Sequence, residues 1–155
     1  MPITFHHADV KFSLKHKREL KSFIQKQVAG AGKQIVNISY VFCSDEYLLN
    51  INKKFLNHNF YTDIITFPLS DNPKQIESEI YISVERVREN SLRFAKSEIR
   101  NRKSETDDAF EVELHRVMFH GILHLLGYKD KTKIQQTEMR KMEDLWLNKY
   151  DKYLK

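Results

Sequence analysis

Residues 120–130 read His120-Gly121-Ile122-Leu123-His124-Leu125-Leu126-Gly127-Tyr128-Lys129-Asp130. His120 and His124 stand four apart, so on a helix both imidazoles occupy one face, one turn above the other. Gly127 permits the left-handed backbone with which helices commonly end, and Asp130 can then swing back toward the two rings. Two imidazoles, a carboxylate and one position left for water make up the ligand set of a catalytic zinc site. Val117, Met118, Phe119, Ile122, Leu123, Leu125 and Leu126 make this helix apolar nearly all round, as expected of one running through the middle of a domain. The alternative is that both histidines are core residues bonded to backbone carbonyls. Each ring left there without a partner costs roughly 1–3 kcal/mol. A metal ion offsets that cost for both rings and accounts for the glycine and the acid as well.

The spacing matches the extended pattern of zinc peptidases, in which a third ligand follows a glycine turn. Those enzymes carry a Glu general base directly after the first His; here that position is Gly121. The stretch therefore reads as the site of a metal hydrolase, but not of a peptidase of that design.

Working outward, Leu14 to Val28 is charged and amphipathic and stops at Gly30-Ala31-Gly32, a first helix and its end. Gln34 to Cys43 is a strand, and Ser44-Asp45 caps a second helix through Phe55. Thr62 to Phe67 is a β-branched strand halted by Pro68. Ile76 to Ser83 alternates, with Glu79 and Tyr81 on one face and Ile80 and Ile82 on the other. Val84 to Ser97 is helical and Glu98 to Asp108 a polar loop or frayed end. Phe110 to Leu126 is the metal helix, and Lys133 to Tyr150 a last amphipathic one. The order predicts an α+β fold: one domain over residues 1–155, a small mixed β-sheet packed with about five helices, and the apolar metal-binding helix at its centre.

At 155 residues the chain is long enough to bury a real core. The single cysteine, Cys43, lies in an apolar run, reads as core filler and allows no intrachain disulfide. No stretch approaches the ~20 apolar residues that span a membrane. Met1 to Val10 is polar, without the apolar segment of a signal peptide, so a cytoplasmic protein is expected. A net charge of +5 permits a polyanionic partner without requiring one.

The stretch from His120 to Tyr128 resembles the YbeY family of bacterial rRNA maturation factors, described as metal-dependent endoribonucleases. Asn52, Phe55 and Thr62-Asp63-Ile64-Ile65-Thr66-Phe67-Pro68 are similar to that family's threonine-aspartate strand, and Glu79-Ile80-Tyr81-Ile82-Ser83 to its Gly-Asp-Ile strand. The blocks occur in the family's order and cover residues 45 to 130. Three positions depart from it. Asp130 stands where a third His is usual, and a carboxylate oxygen is an acceptable zinc ligand. Leu56 stands where the family carries an arginine associated with activity, and that role does not transfer to a leucine. Tyr61 replaces a proline, and Ser78-Glu79 replaces Gly-Asp.

The resemblance implies an endoribonuclease holding one zinc per chain through His120, His124 and Asp130. Single-stranded segments of rRNA precursors would be its substrate and ribosomal particles its partners. Zinc would acidify a water molecule and polarise a phosphoryl oxygen. Whether that water attacks, or removes the proton of an attacking 2′-hydroxyl, stays open. Arg86, Arg88 and Arg116 are the candidate phosphate contacts, each with a local ion pair as its alternative. His115 falls off the metal face by helical phase and reads as structural. His58 reads as a surface-loop residue with the cleft as its alternative. Asp63 reads as a strand-edge acceptor, and Phe60 and Tyr61 as packing residues with base stacking as the alternative. His6 and His7 suggest no partner. The competing class is a ribosome-assembly factor that binds RNA around a structural metal. Such a site would be closed by a fourth protein ligand, whereas a catalytic one stays open.

Overall fold

In the computed structural model, which describes residues 2–94 and 103–155, the expected α+β architecture is present. Strands β1 (Ile3–His7), β2 (Gln34–Cys43), β3 (Ile64–Pro68) and β4 (Gln75–Ser83) form one sheet in the order β1-β2-β4-β3. The first three strands in that order run parallel and β3 pairs antiparallel with β4. The described helices are α1 (Lys17–Gly30), α2 (Asp45–Leu56), α3 (Val84–Phe94), α4 (Lys103–Leu125) and α5 (Lys133–Leu154).

Alternation along the strands divides the interior in two. Ile38, Tyr40 and Phe42 of β2 and Ile76, Ile80 and Ile82 of β4 enter a large core with α1, α4 and α5. Cys43, Ile65 and Tyr81 join α2's Leu48 and Ile51 in a small second cluster. Because Ile80 and Tyr81 are successive strand residues, the two clusters lie on opposite faces of the sheet. Helix α4 therefore runs between sheet and outer helices, its Met118, Phe119, Ile122 and Leu123 wholly buried. The buried Tyr40 hydroxyl donates to the Met118 carbonyl at 3.0 Å, tying α4 to the sheet. Phe23, Phe119, Trp146 and Tyr150 interlock α1, α4 and α5, with ring centroids 5.1 to 6.1 Å apart.

Several boundaries differ from the sequence expectation for local reasons. Strand β1 falls in the stretch from Met1 to Val10 that reads as polar, with no element assigned to it. Only Ile3 is fully buried and Phe5 partly so, while His6 and His7 are exposed, as an edge strand allows. Helix α1 starts at Lys17, behind the left-handed His16 (φ 59°). Ser44 caps α2 as expected, accepting from the Tyr47 backbone N–H at 3.1 Å. Strand β3 runs Ile64–Pro68, at the sheet edge where proline's missing donor is tolerated. Residues 103–108, expected as a loop or frayed end, belong to α4, in which Asp108 is exposed and Phe110 buried. The expectations for 95–97 and 98–102 lie outside the described residues. Helix α5 continues to Leu154, where the Tyr153 hydroxyl donates to Ser22 at 2.8 Å.

Candidate metal centre

Helix α4 presents His120 and His124 at one wall of an open cleft of about 600 Å³, where it meets the edge strand β3 and the segment after α2. Between the two histidines Gly121 faces the sheet. A Cβ there would lie 3.1 Å from Ile64 Cδ1 and 3.3 Å from both Ile80 Cδ1 and Thr66 Oγ1. The glycine thus lets the helix approach β3 and β4. A glutamate at this position would be driven into the sheet rather than the cleft, so the missing peptidase base has a packing cause.

The exit from α4 is a Schellman turn. The Tyr128 N–H donates to the Leu123 carbonyl and the Gly127 N–H to that of His124, both at 3.0 Å, with Gly127 at φ 105°. Five residues on, Thr132 and Gln135 close a capping box at the start of α5. The Lys131 N–H also donates to the Gln135 side-chain oxygen at 3.1 Å. Held at both ends, the turn places Asp130 Oδ2 3.3 Å from His120 Nε2 and 3.3 Å from His124 Nε2. One ligand atom from each residue falls within 4.8 Å of the others. Donors at zinc's usual ~2.1 Å, arranged tetrahedrally, stand roughly 3.4 Å apart. The donor types and the two measured separations fit such an ion. Among the described residues no fourth His, Cys, Asp or Glu joins the group.

Behind His120 stands a residue the sequence reading passed over. Glu143 of α5, 5% exposed, accepts from His120 Nδ1 at 2.6 Å and from Arg116 at 3.1 Å. A carboxylate on Nδ1 fixes the ring's tautomer and turns Nε2 toward the cleft. Burial disfavours a proton on His120, but the bond and charge of Glu143, with Asp130 and Asp63, outweigh it and raise its pKa. A signal for Glu143 does exist in the sequence. Met139, Glu143, Trp146 and Tyr150 form α5's buried stripe, and an acid on a core stripe needs a partner.

The structure brings His120, His124 and Asp130 together and leaves the three arginines outside the cleft lining. Arg86 pairs with Asp45 at 2.8 Å and lies under the Tyr61 ring. Arg88 stacks on Phe110 at 4.1 Å, and Arg116 is held by Glu143 and by Asp144 at 2.8 Å. Asp63 lines the cleft, its carboxyl raised by burial against the opposing pull of His120. His58 and Phe60 also line it, and Phe60 and Tyr61 are half exposed rather than packed away. His115 is buried between Phe119 and Tyr150; burial first, then His16, brings its pKa down to about 4. Cys43 is fully buried, and burial pushes its thiol up to about 12, as befits core filler. No described helix is long and apolar enough to cross a membrane.

Comparison with known proteins extends the match beyond the motif blocks. The sequence profile described as Endoribonuclease YbeY matches residues 3–151. A protein of that name from Cytophaga hutchinsonii is 39% identical over 146 residues, 94% of each chain. One from Amoebophilus asiaticus is 40% identical over 139 residues, 90% of this chain and 86% of its own. A solution structure of a Thermotoga maritima protein shares the fold with TM-score 0.60 at 23% identity, over 96% of this chain and 88% of that one. Since the match takes in the sheet, the cleft and the helix behind it alike, the chain belongs to the Endoribonuclease YbeY family.

Proposed function

We propose that residues 1–155 act as one hydrolase domain, a zinc-dependent endoribonuclease that cuts single-stranded segments of ribosomal RNA precursors. In this reading it works in the cytoplasm, with ribosomal particles as partners. The observation that carries it is the convergence of His120 Nε2, His124 Nε2 and Asp130 Oδ2 at the wall of an open cleft. The names of its relatives supply the substrate class.

His120, His124 and Asp130 would hold the ion. Zinc bound there supplies a Lewis acid for a phosphoryl oxygen and an acidified water near neutral pH. Glu143 keeps the His120 proton on Nδ1, leaving the Nε2 lone pair for the ion. Leu56, Ile64 and Leu125 add apolar surface to the cleft lining beside the polar groups. A structural metal would call for a fourth protein ligand; none joins the group among the described residues.

The test is metal content by elemental mass spectrometry for the wild type and a His120→Ala/His124→Ala variant, with cleavage of single-stranded RNA measured on both. About one zinc per chain and metal-dependent cleavage in the wild type, both lost in the variant, is the expected result. Undiminished cleavage after metal removal would overturn it.

A further inference from the structure

No lysine or arginine lines the cleft among the described residues. If the cleft takes a polyanion, its walls must bind it through groups other than Lys and Arg, the histidines among them. Two of its three histidines, His120 and His124, are committed to the ion by the reading above. The third is His58, across the cleft on the segment that links α2 to β3.

That segment is built to hold a side chain in place. Helix α2 ends at Asn57 in the left-handed conformation (φ 56°), which turns the chain sharply. Asn52, 2% exposed, then clamps the turn twice. Its carbonyl accepts from the His58 N–H at 3.1 Å and its side-chain amide donates to the Phe60 carbonyl at 2.9 Å. The His58 ring stacks on the Phe60 ring, centroids 5.1 Å apart and planes 23° from parallel. Next along, Tyr61 rests on the Arg86 guanidinium, itself anchored to Asp45. Neither ring nitrogen of His58 engages another described residue, and the side chain is exposed. An imidazole stacked on an aromatic ring in the lining of a cleft without Lys or Arg, its ring nitrogens unengaged by described residues, is a ready donor to a phosphate oxygen.

We infer that His58 is the cleft's direct contact to the RNA backbone. Its ring N–H donates to a phosphate oxygen of a strand lying between the 57–61 segment and His120, His124 and Asp130, while Phe60 fixes the ring's plane. The inference rests on the endoribonuclease reading for its ligand. His58 differs from Arg86 and Arg116, which are held in ion pairs, and from Arg88, which is stacked on Phe110 outside the cleft lining.

The experiment measures binding of a fluorescent single-stranded 2′-O-methyl oligoribonucleotide, which lacks the free 2′-hydroxyl, by zinc-loaded protein. His58→Ala, His58→Phe and His58→Arg are compared with the wild type, alongside metal content and thermal midpoint. Phenylalanine keeps the stack and loses the donor; arginine keeps both. Alanine and phenylalanine should weaken binding on the order of tenfold, arginine should restore it, and metal content should not move. Wild-type affinity in the alanine or phenylalanine variant would overturn the inference, as would a wild type that binds no strand. Cleavage of unmodified RNA is followed in parallel. Its absence beside intact, His58-dependent binding would defeat the endoribonuclease reading and leave His58 standing.

Discussion

Removing the Glu143 carboxylate should loosen the metal without touching a ligand. Glu143→Ala deletes the acceptor 2.6 Å from His120 Nδ1 and leaves that N–H facing a hole in the core. Arg116 is not stranded, because Asp144 remains at 2.8 Å and Glu113 at 3.9 Å. The full ~3–5 kcal/mol of a broken buried pair is therefore not expected. The loss should concentrate on His120, as about 10- to 100-fold weaker zinc binding. Glu143→Gln retains an oxygen acceptor without its charge and should fall nearer tenfold. The pH dependence has a definite sign. Glu143 helps raise the pKa of His120, so protons compete harder for Nε2 in the wild type than in the alanine variant. The affinity gap should be widest near pH 8 and narrow toward pH 6. Competition titration against a chromophoric zinc chelator at both pH values reads it directly. Equal affinity at pH 8 for wild type and Glu143→Ala would refute the claim that this carboxylate orients a zinc ligand.

Gly121→Ala should cost about 1 kcal/mol in urea titration, the crowding against Ile64, Ile80 and Thr66 exceeding alanine's gain in helix propensity. Gly121→Glu should cost well over ~3 kcal/mol, and a stable glutamate variant would contradict the packing account. His115, with its folded pKa near 4 against an ordinary 6.5, is uncharged when folded. The unfolded chain takes up the proton first, so stability is fully present above about pH 6.5 and declines as pH falls toward 4, by at most ~3 kcal/mol. His115→Phe should flatten that part of the stability profile measured by thermal or urea melts. Asp130→His should keep zinc and Asp130→Ala should lose it in elemental mass spectrometry, since imidazole and carboxylate both serve as ligands.

Much of the fold follows from periodicity. β2, α2, β4 and α5 could be placed because each carries a period of 2 or 3.6 and a cap or breaker at its end. β1 was not legible, because two exposed histidines in five residues hide the alternation of Ile3 and Phe5. The opening turns of α4 read as loop because their sequence, Lys103 to Asp108, is polar and has no apolar stripe to show. At the site, His120, His124 and Asp130 stood out because they share eleven residues of sequence. Glu143 did not, since its partner His120 is 23 residues away, and pairing of that kind leaves no local spacing. The position of His58 beside the cleft likewise depends on the Asn57 reversal, a backbone conformation that sequence pattern only hints at.

The turn from Gly127 to Thr132 has a consequence for how this protein can vary. Asp130 is positioned by main-chain bonds at the α4 end of the turn and by backbone N–H bonds to the Gln135 and Thr132 side chains at the α5 end. Tyr128 packs against the core, whereas Lys129 and Lys131, both exposed, are thus free to change in kind. Their number is not. One residue inserted or deleted would rotate the carboxylate away from both imidazoles while leaving α4 and α5 intact. Length, more than composition, should be the quantity that variation respects here.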